Sequence, residues 1–446
     1  MSLITRTFKI KIQVQPALEA RLDEQSRIVN GVRNYCVAKS REWRAEYAAA
    51  CEAGDQAKSK AIAKKLYAKY SYRNLIPELR QERPWLNKVH SSPLQDAGMR
   101  VAEGIKRYVS WKKTGNGPVI QWPKFHKWSN NNWCSLYYNG TTNGKLKGIK
   151  LIGRNLRISL GGRNNYVYAT LAEPAPFGTT PIKTARIIKQ YGTFYVCFTV
   201  GPEPVASSKP VIRTVALDPN VKNLSYAVSS DGVAIEIQWP TILRKLSDSI
   251  NQLTSQRDKC KAGSQKSNQL NKKLNKLRHK RQEIKKQAFY TIAHRLCKEF
   301  DCIVIGDWTA KGGINRGMRR VINNETALSE FREILAWVAK RAGKDFAKVS
   351  ERNTTKTCHV CGHTYDGGID PKIRQWACPN SSCNTVHIRD ENAAINILRR
   401  FTIGHLSPGL GHHSIRERCT WRVGASGIYV THATPANRLN QERSSS

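Results

Sequence analysis

Four cysteines lie in the stretch TCHVCGHTYDGGIDPKIRQWACPNSSC. Cys358 and Cys361 form a CxxC pair, and Cys378 and Cys383 form a CxxxxC pair, with 16 residues between the two pairs. Four thiolates in two close pairs can close a tetrahedral shell around zinc, as in a zinc ribbon. A redox CxxC needs one pair only and sits after a strand at a helix start, so the double pair favours metal. With cysteine at all four positions no ligand place is left to water, and one structural zinc ion is expected. His359, His363 and His387 lie nearby and are read as loop or surface histidines. Acids flank the cysteines: Glu351 ahead of them and Asp390 behind, in RDENAAINIL, with Asp218 far upstream at the end of the apolar run TVALD. Asp390 could be no more than a helix N-cap, and any one of these acids alone is weak ground for chemistry.

The elements that must carry these groups follow from periodicity. The N-terminal MSLITRTFKIKIQVQ alternates polar and apolar residues and reads as a strand rather than a signal peptide. Helical spacing of Leu18, Leu22, Ile28, Val32 and Tyr35 opens a helical region, and Pro93 suits the first turn of a later helix. Beyond it, LKGIKLIGRNLRISLGG and TARIIKQYGTFYVCFTV alternate with period two. A strand, inserted helices and then a β-rich segment suggest a barrel interrupted by a helical insertion, and EPVASSKP reads as a linker. VIRTVALDPNVKNLSYAVSSDG reads as a β-hairpin, and residues 241–300 as a long helical hairpin broken at Gly263 and Ser264. CIVIG and DFAKVSE read as strands, with a helix between them at about 325–342 and another over DENAAINILRRF.

The chain has 446 residues and a formal net charge of +41, from 74 Lys and Arg against 33 Asp and Glu. Such an excess repels itself in a compact fold, and a polyanion is the natural counterweight. Nucleic acid comes first, because each neutralised phosphate releases counterions. No apolar run approaches the ~20 residues that span a bilayer. The second arm of the helical hairpin carries Lys272, Lys273, Lys276, Arg278, Lys280, Arg281 and Lys285 against the single acid Glu283. That imbalance favours a face for nucleic acid over a merely solvated one. In GPVIQWPKFHKWSNNNWCSLYY, Trp122 and Phe125 could stack on unpaired bases while Lys124 and Lys127 meet phosphates; an aromatic barrel rim fits equally well. Eight further cysteines show no framework spacing, and with no export signal they are expected to be free thiols in a reducing cytoplasm.

ALDPNVKNLSYAV, CHVCG with CPNSSC, and RDENAAINIL, in this order around a basic helical hairpin, resemble the TnpB proteins encoded by bacterial transposons and the related miniature type V CRISPR effectors. The motif resemblance covers about residues 211–400; the N-terminal half agrees in layout. It implies an α/β RNase H-like RuvC nuclease domain with an inserted zinc ribbon, preceded by a wedge-type β-barrel interrupted by a helical recognition domain. The division would be a first barrel strand at 1–15, the recognition domain at 16–114, the barrel at 115–205, the nuclease domain at 211–353 with its hairpin at 241–300, the ribbon at 354–386, the last nuclease segment at 387–401 and a loose tail at 402–446. The implied activity is Mg²⁺-dependent, RNA-guided cleavage of double-stranded DNA beside a short flanking motif, in the cytoplasm at a prokaryotic nucleoid. The implied partners are a structured guide RNA and target DNA, and no membrane.

In that family two Mg²⁺ ions are held by carboxylates, here Asp218 and Asp390, with a glutamate on the central strand. The central strand of this chain reads CIVIGDW, with Gly306 at the matching place. Asp307 is adjacent and points to the opposite face. Glu351, at the end of the neighbouring strand, is the candidate replacement, with Gly306 leaving room for its side chain, and the catalytic set becomes Asp218, Glu351 and Asp390. Its alternative is an exposed loop acid. Two other readings compete: an RNA-guided DNA-binding repressor that lost cleavage at Gly306, and an unguided recombination nuclease, against which the more than 200 residues before Asp218 weigh.

Overall fold

The structure is a computed structural model that describes residues 3–115, 119–129, 132–139, 146–162, 164–178, 180–204, 212–307, 327–367, 369–370, 373–403, 415–424 and 427–432. It divides into two compact units, one of Leu3–Glu203 and one running from Pro204 to the C-terminus. The linker reading at 203–210 falls mostly outside the described residues.

In the first unit, β1 (Leu3–Gln13) runs into α1 (Pro16–Glu52), which has proline in its first turn where no N–H is needed. Helices α2 (Gln56–Tyr67), α3 (Lys69–Glu82) and α4 (Ser91–Thr114) follow, the last ending at Gly115 with φ 63°. Six strands come next: β2 (Leu136–Asn139), β3 (Ile149–Ile152), β4 (Asn155–Ser159), β5 (Tyr166–Leu171), β6 (Ile182–Gln190) and β7 (Thr193–Pro204). With β1 they form a seven-stranded sheet in the order β2-β6-β7-β1-β5-β4-β3. The backbone N–H of Lys147, just ahead of β3, donates to Asn139 O at the end of β2. That bond joins the two outer strands and curls the sheet toward a barrel. Alternation sends Ala185, Ile187, Val196 and Phe198 inward onto the same core as Leu22, Val29 and Val101 of the helices.

In the second unit, β8 (Thr214–Pro219), β9 (Ser225–Ser229) and β10 (Val233–Gln238) form an antiparallel meander. The helical hairpin α5 (Thr241–Asp258) and α6 (Gln265–Glu299) leads to β11 (Cys302–Gly306). Then come α7 (Leu328–Ala342), β12 (Asp345–Val349), the small hairpin β13 (Gln375–Ala377) and β14 (Val386–Ile388), and α8 (Arg389–Ile403). Strands β11 and β8 pair parallel, as do β11 and β12. The order β12-β11-β8-β9-β10 is that of an RNase H-like, RuvC-type core. β8 and β11 are covered on both faces, which is why they are nearly all apolar. Val215, Leu217, Ile303 and Ile305 pack against Phe289, Ile292 and Leu296 of α6 and Phe331 and Leu335 of α7. On the opposite face, Ala216 and Val304 pack against Ile397 and Leu398 of α8.

The C-terminus departs from expectation. Within the segment read as a loose tail, Glu417–Gly424 forms β15, parallel to β10, and Gly427–His432 forms β16, antiparallel to β15. Cys419 and Trp421 alternate into the core beside α6, and Arg418 makes a bidentate pair with the buried Glu391, at 3.0 Å for each contact. Period-two burial and a buried ion pair hold the segment to the sheet.

Candidate active site and metal centre

Strand register decides which acids meet. Ile305 of β11 pairs with Leu217 of β8, so the next residues, Gly306 and Asp218, are level and on one face. Gly306 also pairs with Val349 of β12, and Glu351 lies two residues beyond Val349, on the same face by period two. This face carries Ala216 and Val304 onto α8, whose first turn holds Asp390. Thus three elements bring Asp218, Glu351 and Asp390 to the carboxyl ends of the parallel strands.

Glu351 goes further than register requires. A Cβ built on Gly306 would overlap its Oε1, Cδ and Cγ atoms. The glycine is therefore a vacancy filled from the neighbouring strand. Asp307 behaves differently: its N–H donates to Val349 O at 2.9 Å, and its Oδ1 accepts the Glu351 N–H at 3.2 Å. Asp307 thus caps the backbone that carries Glu351. The buried Arg332 donates to Gly306 O at 3.2 Å.

Asp218 is buried, and its carboxyl is pushed well above the usual carboxylate range. Burial is the largest cause, followed by the negative charges of Glu351 and Asp390, with Arg389 opposing. Asp390 is held by two arginines. Arg374 donates to Oδ2 at 3.0 Å, and Arg389 donates to Oδ1 from Nε at 3.1 Å and from Nη2 at 3.0 Å. Sequence reading missed both arginines; no spacing rule links residue 374 to 390.

The cysteines form a separate cluster. All four Sγ atoms lie within 4.8 Å of one another, with Cys361 to Cys378 at 3.5 Å and Cys358 to Cys383 at 3.8 Å. Sulfurs about 2.3 Å from one tetrahedral ion stand ~3.8 Å apart, so the cage fits a metal ion. The Val360 and Cys361 N–H groups point to Cys358 Sγ at 3.4 and 3.5 Å. Burial pushes the Cys358 thiol up to about 12, while the Thr385 hydroxyl lowers Cys383 to about 7. Deprotonating the whole set calls for a cation in its middle. His387, read from the sequence as a surface or loop residue, is in fact buried with Nε2 3.0 Å from Cys358 Sγ. Strand β14 turns its middle residue inward against Trp376 of β13.

The proposed nucleic-acid residues sit on both units. On α6, Lys272, Lys273, Lys276, Arg278 and Lys280 lie along the solvent side of the arm, whereas Arg281 donates to Ser247 Oγ of α5 at 3.1 Å. Lys285 departs from the charged face: it is buried, 4.0 Å from Glu330 of α7. In the first unit, residues 119–129 run along α1. Asn34 accepts from His126 N and donates to His126 O, and Ser26 accepts from Trp128 Nε1. Trp122 donates to Ser40 Oγ at 3.3 Å under the Arg44 guanidinium, so helix contacts already engage it. Phe125 is 54% exposed beneath Arg41, and Lys124 and Lys127 flank it on the same segment. No described helix is long and apolar enough to cross a membrane.

An RNase H-like sheet with acids at the carboxyl ends of its parallel strands is the RuvC-type layout. Comparison with known proteins agrees. The Cas12f1-like TNB domain family matches residues 329–397. A Mycobacterium tuberculosis protein provisionally named an RNA-guided DNA endonuclease is 27% identical over 195 residues, 42% of this chain and 41% of that protein. A TnpB-like protein of Acanthamoeba polyphaga mimivirus is 28% identical over 217 residues, 46% of this chain and 40% of that protein. These matches span less than half of the relatives' length. The solved structure of the mini-RNA-guided endonuclease CRISPR-Cas phi3 shares the fold, with TM-score 0.50 at 10% identity over 91% of this chain and 94% of that one. Over the matched 42–46% of the chain, these sequence relatives carry the names RNA-guided DNA endonuclease and TnpB-like protein.

Proposed function

We propose that the protein is an RNA-guided DNA endonuclease that binds a structured guide RNA, recognises a short flanking DNA motif and cleaves guide-complementary double-stranded DNA at one RuvC-type site in the cytoplasm of a prokaryote. The observation that carries this reading is the Glu351 carboxyl group seated in the space left by Gly306, level with Asp218. It supports cleavage over the repressor alternative, because the acid missing from the central strand is supplied from the next one.

Asp218, Glu351 and Asp390 offer hard oxygen ligands suited to Mg²⁺. Two Mg²⁺ ions held there would supply an activated water and stabilisation of the leaving oxygen. The chain's part is to hold the three acids together at the strand ends, Asp218 on β8, Asp390 on α8 and Glu351 in the segment just after β12. Asp218, with its raised pKa, gives up its proton readily only against added positive charge. Asp390, held by Arg374 and Arg389, would offer its remaining lone pairs to a metal while the two guanidinium groups fix its orientation. The cysteine cage would hold one structural Zn²⁺, since four thiolates leave no ligand place to water. Sequence discrimination is delegated to base pairing, and the lysines along α6 meet phosphates.

The test is to copurify the full chain with its RNA, add matching duplex DNA and Mg²⁺, and measure cut strands. Wild type should cut, and Glu351→Ala should bind the same DNA while losing more cutting rate than the ~10–100-fold that loss of a partner behind a metal ligand costs. Binding without cutting by wild type would make the repressor reading the right one.

A further inference from the structure

Two asparagines of α8, one turn apart, grip the loop that carries Glu351. Asn392 and Asn396 are 1% and 2% exposed. Each donates from Nδ2 to two backbone carbonyls: Asn392 to Thr354 O at 3.2 Å and Thr357 O at 2.8 Å, and Asn396 to the same atoms at 2.8 and 2.7 Å. The Asn392 Oδ1 accepts the His359 N–H at 3.0 Å and stands 2.9 Å from His359 Nδ1. Thr354 in turn closes onto Glu351, its N–H and its hydroxyl both donating to Glu351 O, at 3.2 and 2.9 Å. Asn353, between them, has φ 65°, the left-handed state that asparagine adopts more readily than other side-chain-bearing residues.

The connection is short and continuous. Asp390 sits two residues before Asn392 on one helix; Asn392 and Asn396 hold Thr354 and Thr357; Thr354 holds Glu351. On the other side, Thr357 precedes Cys358, the first cage cysteine. The strand pairing of β12 ends at Val349, two residues short of Glu351, so the loop that follows helps to place the acid. Helix interiors give asparagine little return, since its side chain competes with the backbone. Two buried at i and i+4 that satisfy the same carbonyls have a specific task.

We propose that Asn392 and Asn396 are positioning residues that set the separation of Glu351 from Asp390 by locking the Thr354–Thr357 loop to α8, and thereby set the metal affinity of the acidic site. This rests on the reading of Asp218, Glu351 and Asp390 as metal ligands. A residue that orients a ligand typically changes metal affinity by about 10–100-fold when lost, while zinc in the cage and the global fold have other supports.

The experiment is Mn²⁺ binding to the full chain, followed by electron paramagnetic resonance, for wild type, Asp218→Asn, Asn396→Ala and Asn396→Ser, with zinc content and Tm measured on each. Asp218→Asn is the blank for binding outside the site. The expected result is about tenfold weaker Mn²⁺ binding in Asn396→Ala, partial recovery in Asn396→Ser, which keeps a donor, and one zinc per chain in both. The Mg²⁺ concentration for half-maximal cutting should rise in parallel, with the rate regained at high Mg²⁺. Unchanged Mn²⁺ affinity in both Asn396 variants, with binding still lost in Asp218→Asn, would overturn the proposal and leave the acids' reading intact. A lowered Tm with unchanged affinity would also overturn it, reducing the asparagines to packing. Equal binding by wild type and Asp218→Asn would instead remove the reading on which it rests. If Asn396→Ala fails to fold, Asn396→Ser decides alone.

Discussion

The carboxyl group of Glu351 occupies the space into which a side chain on Gly306 would project, although 45 positions separate them in the chain. Parallel pairing of β11 with β12 makes the exchange possible. Gly306 is level with Val349, and a residue two places on can fold back over the strand end. A carboxyl group thus stands at the end of β11 although its residue belongs to the segment after β12.

Gly306→Ala tests the steric half of this relationship. A methyl group there meets the Glu351 carboxyl, which must leave. Overpacking of this kind costs about 1–3 kcal/mol. Here the expected outcome is a modest fall in Tm and a large fall in cutting, at least tenfold, with DNA binding unchanged in a gel-shift assay.

Stability without metal should depend on Asp218. Its folded-state pKa lies above the unfolded value, so the native state holds the proton longer. The sign follows: this contribution is present at low pH and is lost as pH rises from the usual carboxylate range through the raised value. At neutral pH in EDTA, Asp218→Asn should be more stable than wild type, seen as a higher Tm. The difference should shrink as pH falls toward the usual carboxylate range, and calorimetry across that range checks it.

Elemental analysis should give about one zinc per chain. Cys358→Ser should lower Tm and zinc content while leaving the Mg²⁺ dependence of residual cutting less affected than its amount. Structural zinc contributes directly to folding, and a well-folded zinc-free protein would contradict the assignment of the cage.

Arg418→Ala addresses the C-terminal strands. The variant leaves Glu391 buried with Tyr226 as a remaining donor, at 3.0 Å. Breaking a buried pair costs ~3–5 kcal/mol, and partial exposure of Arg418 reduces this to about 2 kcal/mol. Denaturant unfolding should show the loss, with cutting reduced because Glu391 adjoins Asp390.

Replacing Lys272, Lys273, Lys276 and Arg278 together by alanine should weaken nucleic-acid binding without changing cutting of bound DNA. The slope of log affinity against log salt should become shallower by about 0.7–0.9 for each phosphate no longer neutralised.

How much of this could be read from the sequence differs by feature. The cage was legible because ligand spacing is local and metal geometry is strict. Glu351 was legible through a contradiction: a glycine stood where the resemblance requires an acid, and strand parity barred Asp307. Arg374, Asn392 and Asn396 were not legible, since their partners are fixed by how α8 docks and not by any spacing along the chain. Lys285 was misread with its charged neighbours because helix phase, not composition, turned it toward Glu330. The strands at 417–432 were missed because arginines and polar residues interleave with Cys419 and Trp421, and a short period-two signal is lost in such a polar stretch.

The central claim is that Glu351 serves as the third carboxylate in the space belonging to position 306. Moving the acid back tests it most directly: compare cutting rates of Glu351→Ala and of the double variant Gly306→Glu with Glu351→Ala, each bound to the same RNA and DNA with Mg²⁺. The account predicts that the double variant regains at least tenfold over the single one. A single variant that cuts like wild type, or a double variant no better than a well-folded inactive single one, would contradict it.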